Sequence, residues 1–312
     1  MKSNLGFSLL EMLVAILIGS MVVLMGAGLY ATFVKYSIRH QDLGRFIDHR
    51  SDLLEIGQHI TLAGLGVADG ILIAPSQLGQ LRIERGNAQQ IISQHQTLPS
   101  HTQRPSDQLS IHYTAPEDMW DCEGRLVLGS RQVRLGDGRL VMIDGQRVIE
   151  RYFVQKEDDG TLALRCNAIH YVVDEIHRDG TRDKKGLGIA HQHAIIDEQN
   201  DARKVKRAWS PEGLGEKGSV LMGDIGGFWV RLSVQTNQGI QSVLLDEYRR
   251  HYPSVQPVAI ELVLMSRGTA EAHQAPMSIF GQTQRLLVSP KQDWRIHRVY
   301  LTPINLRLGG KP

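Results

Sequence analysis

The feature that most constrains this chain is an apolar run near its start: from Met12 to Val34 there are 23 residues without a charge. As an α-helix the run rises about 35 Å against a bilayer hydrocarbon core of about 30 Å, so it is long enough to span. A cleaved secretory signal has an apolar region of about 7 to 15 residues behind a basic start, whereas this run is longer and only Lys2 and the amino terminus precede it. Gly26-Ala27-Gly28 imitates a small-residue cleavage site, but the helical pattern continues past it. Gly19, Gly26 and Gly28 either admit a second helix closely or loosen the helix locally, and the sequence leaves both open.

At the head of the run stands Glu11. A carboxylate in hydrocarbon needs a cationic partner, a proton or water. Lys2 and Lys35 are the nearest cations along the chain, too distant to pair with it on one helix. Were the bond between Gly6 and Phe7 cut, a new α-amino group would lie four residues, one helical turn, before Glu11. In a bundle of like helices staggered by a turn, the amine of one subunit would then neutralise the carboxylate of its neighbour. On charge alone the alternative is an interfacial Glu11 that snorkels to headgroups.

Beyond the run the period changes. Leu43, Phe46, Ile47, Leu53, Leu54 and Ile60 recur at helical spacings, with Arg39, Asp42, Arg45, Asp48, Arg50, Asp52 and Glu55 on the other face. Proline does not occur before Pro75, and Gly64 and Gly66 supply a stop, so the pattern predicts one helix from Phe7 to about Ala63. The remainder reads as short strands between turns: Gly70 to Ala74, Leu81 to Glu84, Gln108 to Thr114, Arg125 to Leu128, Gln132 to Leu135, Arg139 to Ile143, Tyr152 to Lys156, Leu162 to Cys166, Phe228 to Gln235, Val258 to Met265 and Arg295 to Leu301. An antiparallel sheet laid on the helix buries both apolar faces, which is an α+β fold. From Ile176 to Gly218 charges replace apolar residues, and the segment reads as a solvated surface excursion or a surface for a partner.

The 312 residues allow one large domain or two modest ones, and 35 basic against 33 acidic residues leave a net charge of +2. That balance carries no footprint for nucleic acid or an anionic surface. Cys122 and Cys166 lack the C-x-x-C spacing of redox or zinc sites. In an exported domain they suggest one disulfide, closing a loop of about 45 residues and contributing roughly 4 kcal/mol in the chain-entropy model; two buried free thiols are the alternative. His191-Gln192-His193, with His170 and His177 upstream, has no carboxylate or thiolate at ligand spacing and reads as a solvated pair. Gly213-Leu214-Gly215-Glu216-Lys217-Gly218 matches G-x-G-x-x-G as text, but lacks the preceding strand and following helix that a phosphate loop needs. Neither a G-x-S-x-G elbow nor a P-loop occurs, and the residues point to no enzyme and no cofactor.

Gly6-Phe7-Ser8-Leu9-Leu10-Glu11 followed by Met12-Leu13-Val14-Ala15-Ile16-Leu17-Ile18-Gly19 resembles the class III signal of type IV prepilins and type II secretion pseudopilins. In that family prepilin peptidase removes a short basic leader on the cytoplasmic side, the new terminal phenylalanine is N-methylated, and the glutamate guides docking of subunits. The resemblance implies cleavage at Gly6, methylation of Phe7 and a docking role for Glu11. The length, the fragment Asp121-Cys122-Glu123-Gly124, the segment Leu164-Arg165-Cys166, and the closing strands at Ala259 to Arg267 and Arg298 to Arg307 resemble a minor pilin of the PilW family. The charged excursion is long for that family, and its arginine-asparagine close is altered at Leu306-Arg307-Leu308.

The organisation implied is a leader over residues 1–6, a helix over 7–64 with its membrane segment at 12–34, and a β-rich periplasmic head over 65–312. The partners implied are other minor pilins, the major pilin, prepilin peptidase, the inner-membrane assembly platform and a tip adhesin. The subunit would sit in the inner membrane as a single-pass protein and then in the pilus. Lys35, Arg39, Arg45 and Arg50 outnumber Lys2, so a count of basic residues favours the opposite orientation; the periplasmic placement follows from the resemblance. Two other readings fit the same start: the large minor pseudopilin of a type II secretion system, and a signal-anchored periplasmic enzyme or binding protein.

Overall fold

The computed structural model describes residues 13, 17–21, 23, 25–30, 51–78, 91–134, 140–171, 218–267, 277–287 and 294–304. The strand expected at Leu81 to Glu84, the excursion as far as Lys217 and the close at Leu306 to Leu308 lie outside these residues. The chain divides into two compact units, Met1–Asp48 and His49–Pro312. In the first, every described residue between 13 and 30 is helical, and Leu17, Met21, Val23 and Leu29 are more than half exposed. The expected span at 12–34 is thus described in part, and among the described residues no helix is long and apolar enough to cross a membrane.

The second unit opens with helix α1, residues 51–61, and continues as antiparallel strands. These are β1 (Gln94–Leu98), β2 (Ser106–Thr114), β3 (Met119–Trp120), β4 (Leu126–Val127), β5 (Arg131–Arg134), β6 (Leu140–Ile143), β7 (Arg147–Lys156), β8 (Leu162–Tyr171), β9 (Ser219–Met222), β10 (Ile225–Thr236), β11 (Gly239–Leu244), β12 (Pro257–Arg267), β13 (Met277–Ile279), β14 (Gln282–Gln284) and β15 (Trp294–Leu301). A short helix α2, Leu245–His251, follows β11. One sheet has the order β1-β2-β7-β8-β9 and the other β11-β10-β12-β15, while β3-β4, β5-β6 and β13-β14 form separate two-stranded pairs.

Period-two placement of apolar residues builds the core between the elements. Leu109, Ile111 and Tyr113 on β2, Val148, Tyr152 and Val154 on β7, and Leu162, Leu164 and Cys166 on β8 share it with Phe228, Val230, Leu232 and Val234 on β10 and Ile260, Leu262 and Leu264 on β12. Leu53, Ile56 and Ile60 of α1, spaced three and four apart, close the same core. Each such side chain contributes about 1.5–3 kcal/mol on burial. Leu54, expected on that face, is half exposed instead.

The opposite faces of the two sheets are also covered. Ile149 and Ile169 pack with Leu72, Leu78 and Ile91, and Trp229, Val263 and Met265 pack with Ile279 and Trp294. Double coverage explains why β2 is buried at eight successive positions, where simple alternation predicts one wet face. The sheets are joined at one corner. β11 pairs with β10 only from Arg231 onward, and the free N–H groups before it donate to β2 side chains: Phe228 to Ser106 Oγ at 3.2 Å and Val230 to Asp107 Oδ2 at 2.8 Å.

The helix stop falls where the glycines predict it. Gly64 and Gly66 adopt φ of +84° and +68°, and the Gly64 N–H donates to the His112 carbonyl at 2.9 Å. Gly70 to Ala74, in contrast, forms only an isolated bridge between Ile71 and Ile111. The Gln77 side chain takes the N–H groups of Ile73 and Ala74 at 2.6 and 2.9 Å, and Pro75 opens a 3-10 turn, so no ladder can continue.

Candidate functional site

Gly6, Phe7 and Glu11, the cleavage, methylation and docking positions, lie outside the described residues, as do His191 and His193. The helical residues immediately after them carry a lipid-compatible surface, with Leu13, Leu17 and Ile18 exposed on the helix and no atom within 4 Å of a Cβ built on Gly19, Gly26 or Gly28. Space of this kind lets another backbone approach closely.

The described chemistry is concentrated where the head meets α1. Asp121-Cys122-Glu123-Gly124 forms the turn between β3 and β4, with the Gly124 N–H on the Asp121 carbonyl at 2.9 Å and Gly124 at φ +74°. The Asp121 side chain organises the turn from within. Its Oδ1 accepts the N–H groups of Glu123 and Arg125, each at 2.9 Å, and its Oδ2 accepts Arg125 Nε at 2.9 Å. Burial alone would raise the Asp121 carboxyl; hydrogen bonds and charge from His170, Arg125 and the Glu123 N–H outweigh it and hold the pKa below the ordinary value. His170 Nδ1 lies 3.8 Å from Asp121 Oδ2, beyond hydrogen-bond reach.

Cys122 leaves this turn disulfide-bonded to Cys166 on β8, with the Cα atoms 6.2 Å apart. The second tie runs from charged side chains of the turn to the main chain of β8. Glu123 Oε2 accepts the Ala168 N–H at 3.0 Å, and the Arg125 guanidinium donates to the Ala168 carbonyl. The turn is thereby fixed to one strand at two points, Cys166 and Ala168.

Beneath it lies Glu150, which sequence reading missed. It occupies the core-facing parity of β7 between Val148 and Tyr152 and is fully buried. Its Oε1 accepts His59 Nδ1–H at 2.9 Å, the Tyr113 hydroxyl at 3.1 Å and the Cys122 N–H at 3.0 Å, while Oε2 accepts the Tyr152 hydroxyl at 2.6 Å. Four donors from α1, β2, β7 and the disulfide turn compensate the buried charge, which would otherwise cost several kcal/mol. Burial, reinforced by the Glu150 charge, pushes both tyrosine hydroxyls well above their ordinary pKa. Burial pulls His59 down, but the hydrogen bond and charge of Glu150, with Glu55 and Asp121 behind, win and the net shift is upward. With both oxygens committed, the carboxylate acts as a lock between helix and head. The available signal was parity, since Glu150 shares the face of Val148, Tyr152 and Val154.

Gly218, the last residue of the G-x-G-x-x-G text, has φ +62°, and a Cβ there would lie 2.2 Å from the Cys166 carbonyl oxygen. Strand β9 begins at the next residue, so this glycine serves a close strand approach.

Residues 1–27 match the family model of the prokaryotic N-terminal methylation motif. No curated protein matches the chain, and no solved structure does. The matched segment contains Gly6, Phe7 and Glu11 and supports a type IV pilin-like protein; its signal implies processing by prepilin peptidase, an origin in the inner membrane and assembly with other pilins.

Proposed function

We propose that the chain is a minor pilin of the PilW kind, a low-copy, non-enzymatic subunit that helps initiate a type IV pilus and sits near its tip. The observation that carries this reading is the methylation motif at residues 1–27. A β-rich head of more than 200 residues after α1 agrees with a large minor subunit rather than a filament-building one. In this reading Gly6 is the cleavage residue, the methylated amine of Phe7 pairs with Glu11 of a neighbouring subunit, and Cys122–Cys166 stabilises the head on the oxidising side of the membrane. The partners are other minor pilins, the major pilin, the inner-membrane platform and a tip adhesin.

Mass spectrometry of the mature amino terminus tests the reading, with N-methylated Phe7 expected. An intact Met1 or a cut elsewhere would favour the signal-anchored periplasmic protein instead. Glu11→Ala should leave cleavage intact yet reduce co-purification with partner pilins about tenfold, the loss of one charge pair worth about 1.4 kcal/mol. The large minor pseudopilin carries the same signal, and co-purification with pilus rather than secretion components separates the two.

A further inference from the structure

The corner where the two sheets join holds a buried guanidinium on which the charge of Asp107 and the opposing charge of Arg231 both act. Arg104 lies between β1 and β2 and is 5 % exposed. Its main chain is tied down, the N–H to Thr102 Oγ1 at 3.2 Å and the carbonyl accepting Thr102 Oγ1–H at 2.8 Å and Trp229 Nε1–H at 3.3 Å. Its side-chain Nε and Nη2 have no partner among the described residues. These two nitrogens form one edge of the guanidinium, the edge that grips a carboxylate or phosphate through two parallel hydrogen bonds.

The nearby carboxylates are already engaged. Asp107 spends Oδ1 on His95 Nδ1–H at 2.8 Å and the Gln96 N–H at 2.9 Å, and Oδ2 on the Val230 N–H. Glu261 accepts Arg231 Nε–H at 2.7 Å. Arg231 adds to the positive charge around the ring of Phe280, its Cζ 4.8 Å from the ring centroid and that of Arg104 5.2 Å. Phe280 reaches this place in the two-residue loop of the β13–β14 hairpin, where its φ of +51° and the +82° of Gly281 are the positive values that such a tight turn calls for. Buried donors left without partners are among the costliest features a fold can keep.

We propose that Arg104 and Arg231, gathered at Phe280, form a binding site for an oxyanion, with a carboxylate or phosphate group seated on the Nε–Nη2 edge of Arg104. Arg104 makes the directional contacts, Arg231 stands beside it with its own charge held by Glu261, and Phe280 presents its π face to both cations. The site goes beyond subunit assembly and does not depend on the pilin reading.

The test uses the full chain in non-ionic detergent, with thermal unfolding followed in Tris-chloride at constant ionic strength as chloride is replaced by inorganic phosphate or by acetate. Phosphate at about a hundredfold its dissociation constant should raise the midpoint by about 5 °C and saturate. Arg104→Met should melt at or above the parent in chloride, because it removes buried donors that lack partners, and should not respond to phosphate. Arg104→Lys keeps the charge without the two-pronged edge and should weaken phosphate by about tenfold or more. Arg250→Gln, an exposed control, should respond as the parent does. A response to acetate as well assigns the site to carboxylates, such as an acidic side chain of a neighbouring subunit; phosphate alone assigns it to phosphate groups. No saturable response to either, or Arg104→Met unstable in chloride, overturns the site.

Discussion

Two helical stretches of this chain bear similar apolar side chains and meet opposite fates. Between residues 17 and 30, Leu17, Met21, Val23 and Leu29 stand exposed, whereas Leu53, Ile56 and Ile60 of α1 are buried under two sheets. The amino-terminal stretch is apolar in sequence on every side, so no single face of it could be satisfied by packing on one sheet. α1 has one apolar stripe, and the head covers it. The lesson is that hydrophobic periodicity, more than hydrophobicity itself, decides whether a helix is completed within its own chain.

The contrast can be broken most severely at the seat of α1. Replacing both Cys122 and Cys166 by Ala should lower head stability by about 4 kcal/mol, because the bridge closes a long loop and positions the Cys122 N–H on Glu150. Chemical denaturation of the purified protein measures this, and an unchanged midpoint would remove the bridge from the argument. Next in size, Ile60→Ala should cost about 3 kcal/mol through loss of buried methyl groups, while Leu17→Ala should leave head unfolding unaltered. Equal losses at the two positions would erase the comparison.

The smallest expected effect is on pH. The His59 pKa is raised in the fold, so its contribution is fully present below the unfolded value of about 6.5 and is lost as pH rises through the folded value. His112 behaves oppositely: burial, with Arg147 adding, depresses its pKa to about 4, so stability falls as pH drops from about 6.5 toward 4. His59→Gln should flatten the alkaline arm of the stability profile and His112→Gln the acid arm, measured by unfolding midpoint across pH.

Much of the head was legible because its long strands are β-branched and apolar. Gln108 to Thr114, Phe228 to Gln235 and Val258 to Met265 lie within β2, β10 and β12 as read. The elements that escaped are those with little apolar signal. β1 is Gln-His-Gln-Thr-Leu, and its place depends on Asp107, which reaches His95 and Gln96 from the neighbouring strand. Helix α2 is seven residues long, too short for periodicity to register. Glu150 escaped because a lone glutamate in a strand ordinarily reads as a wet side chain, and the donors that stabilise it come from residues 59, 113, 122 and 152.

The sequence by itself determined the amino-terminal signal, the change from an all-apolar to a one-sided helix, the glycine stop after α1 and the course of the long strands, since each depends on neighbours within a few residues. Tertiary structure alone decided the double coverage of both sheets, the saturation of Glu150 and the edge of Arg104 left unpaired among the described residues, and it settled Cys122 and Cys166 as a disulfide rather than two free thiols. Those outcomes depend on which distant groups meet in a low-dielectric interior, where one missing or added hydrogen-bond partner outweighs any local preference.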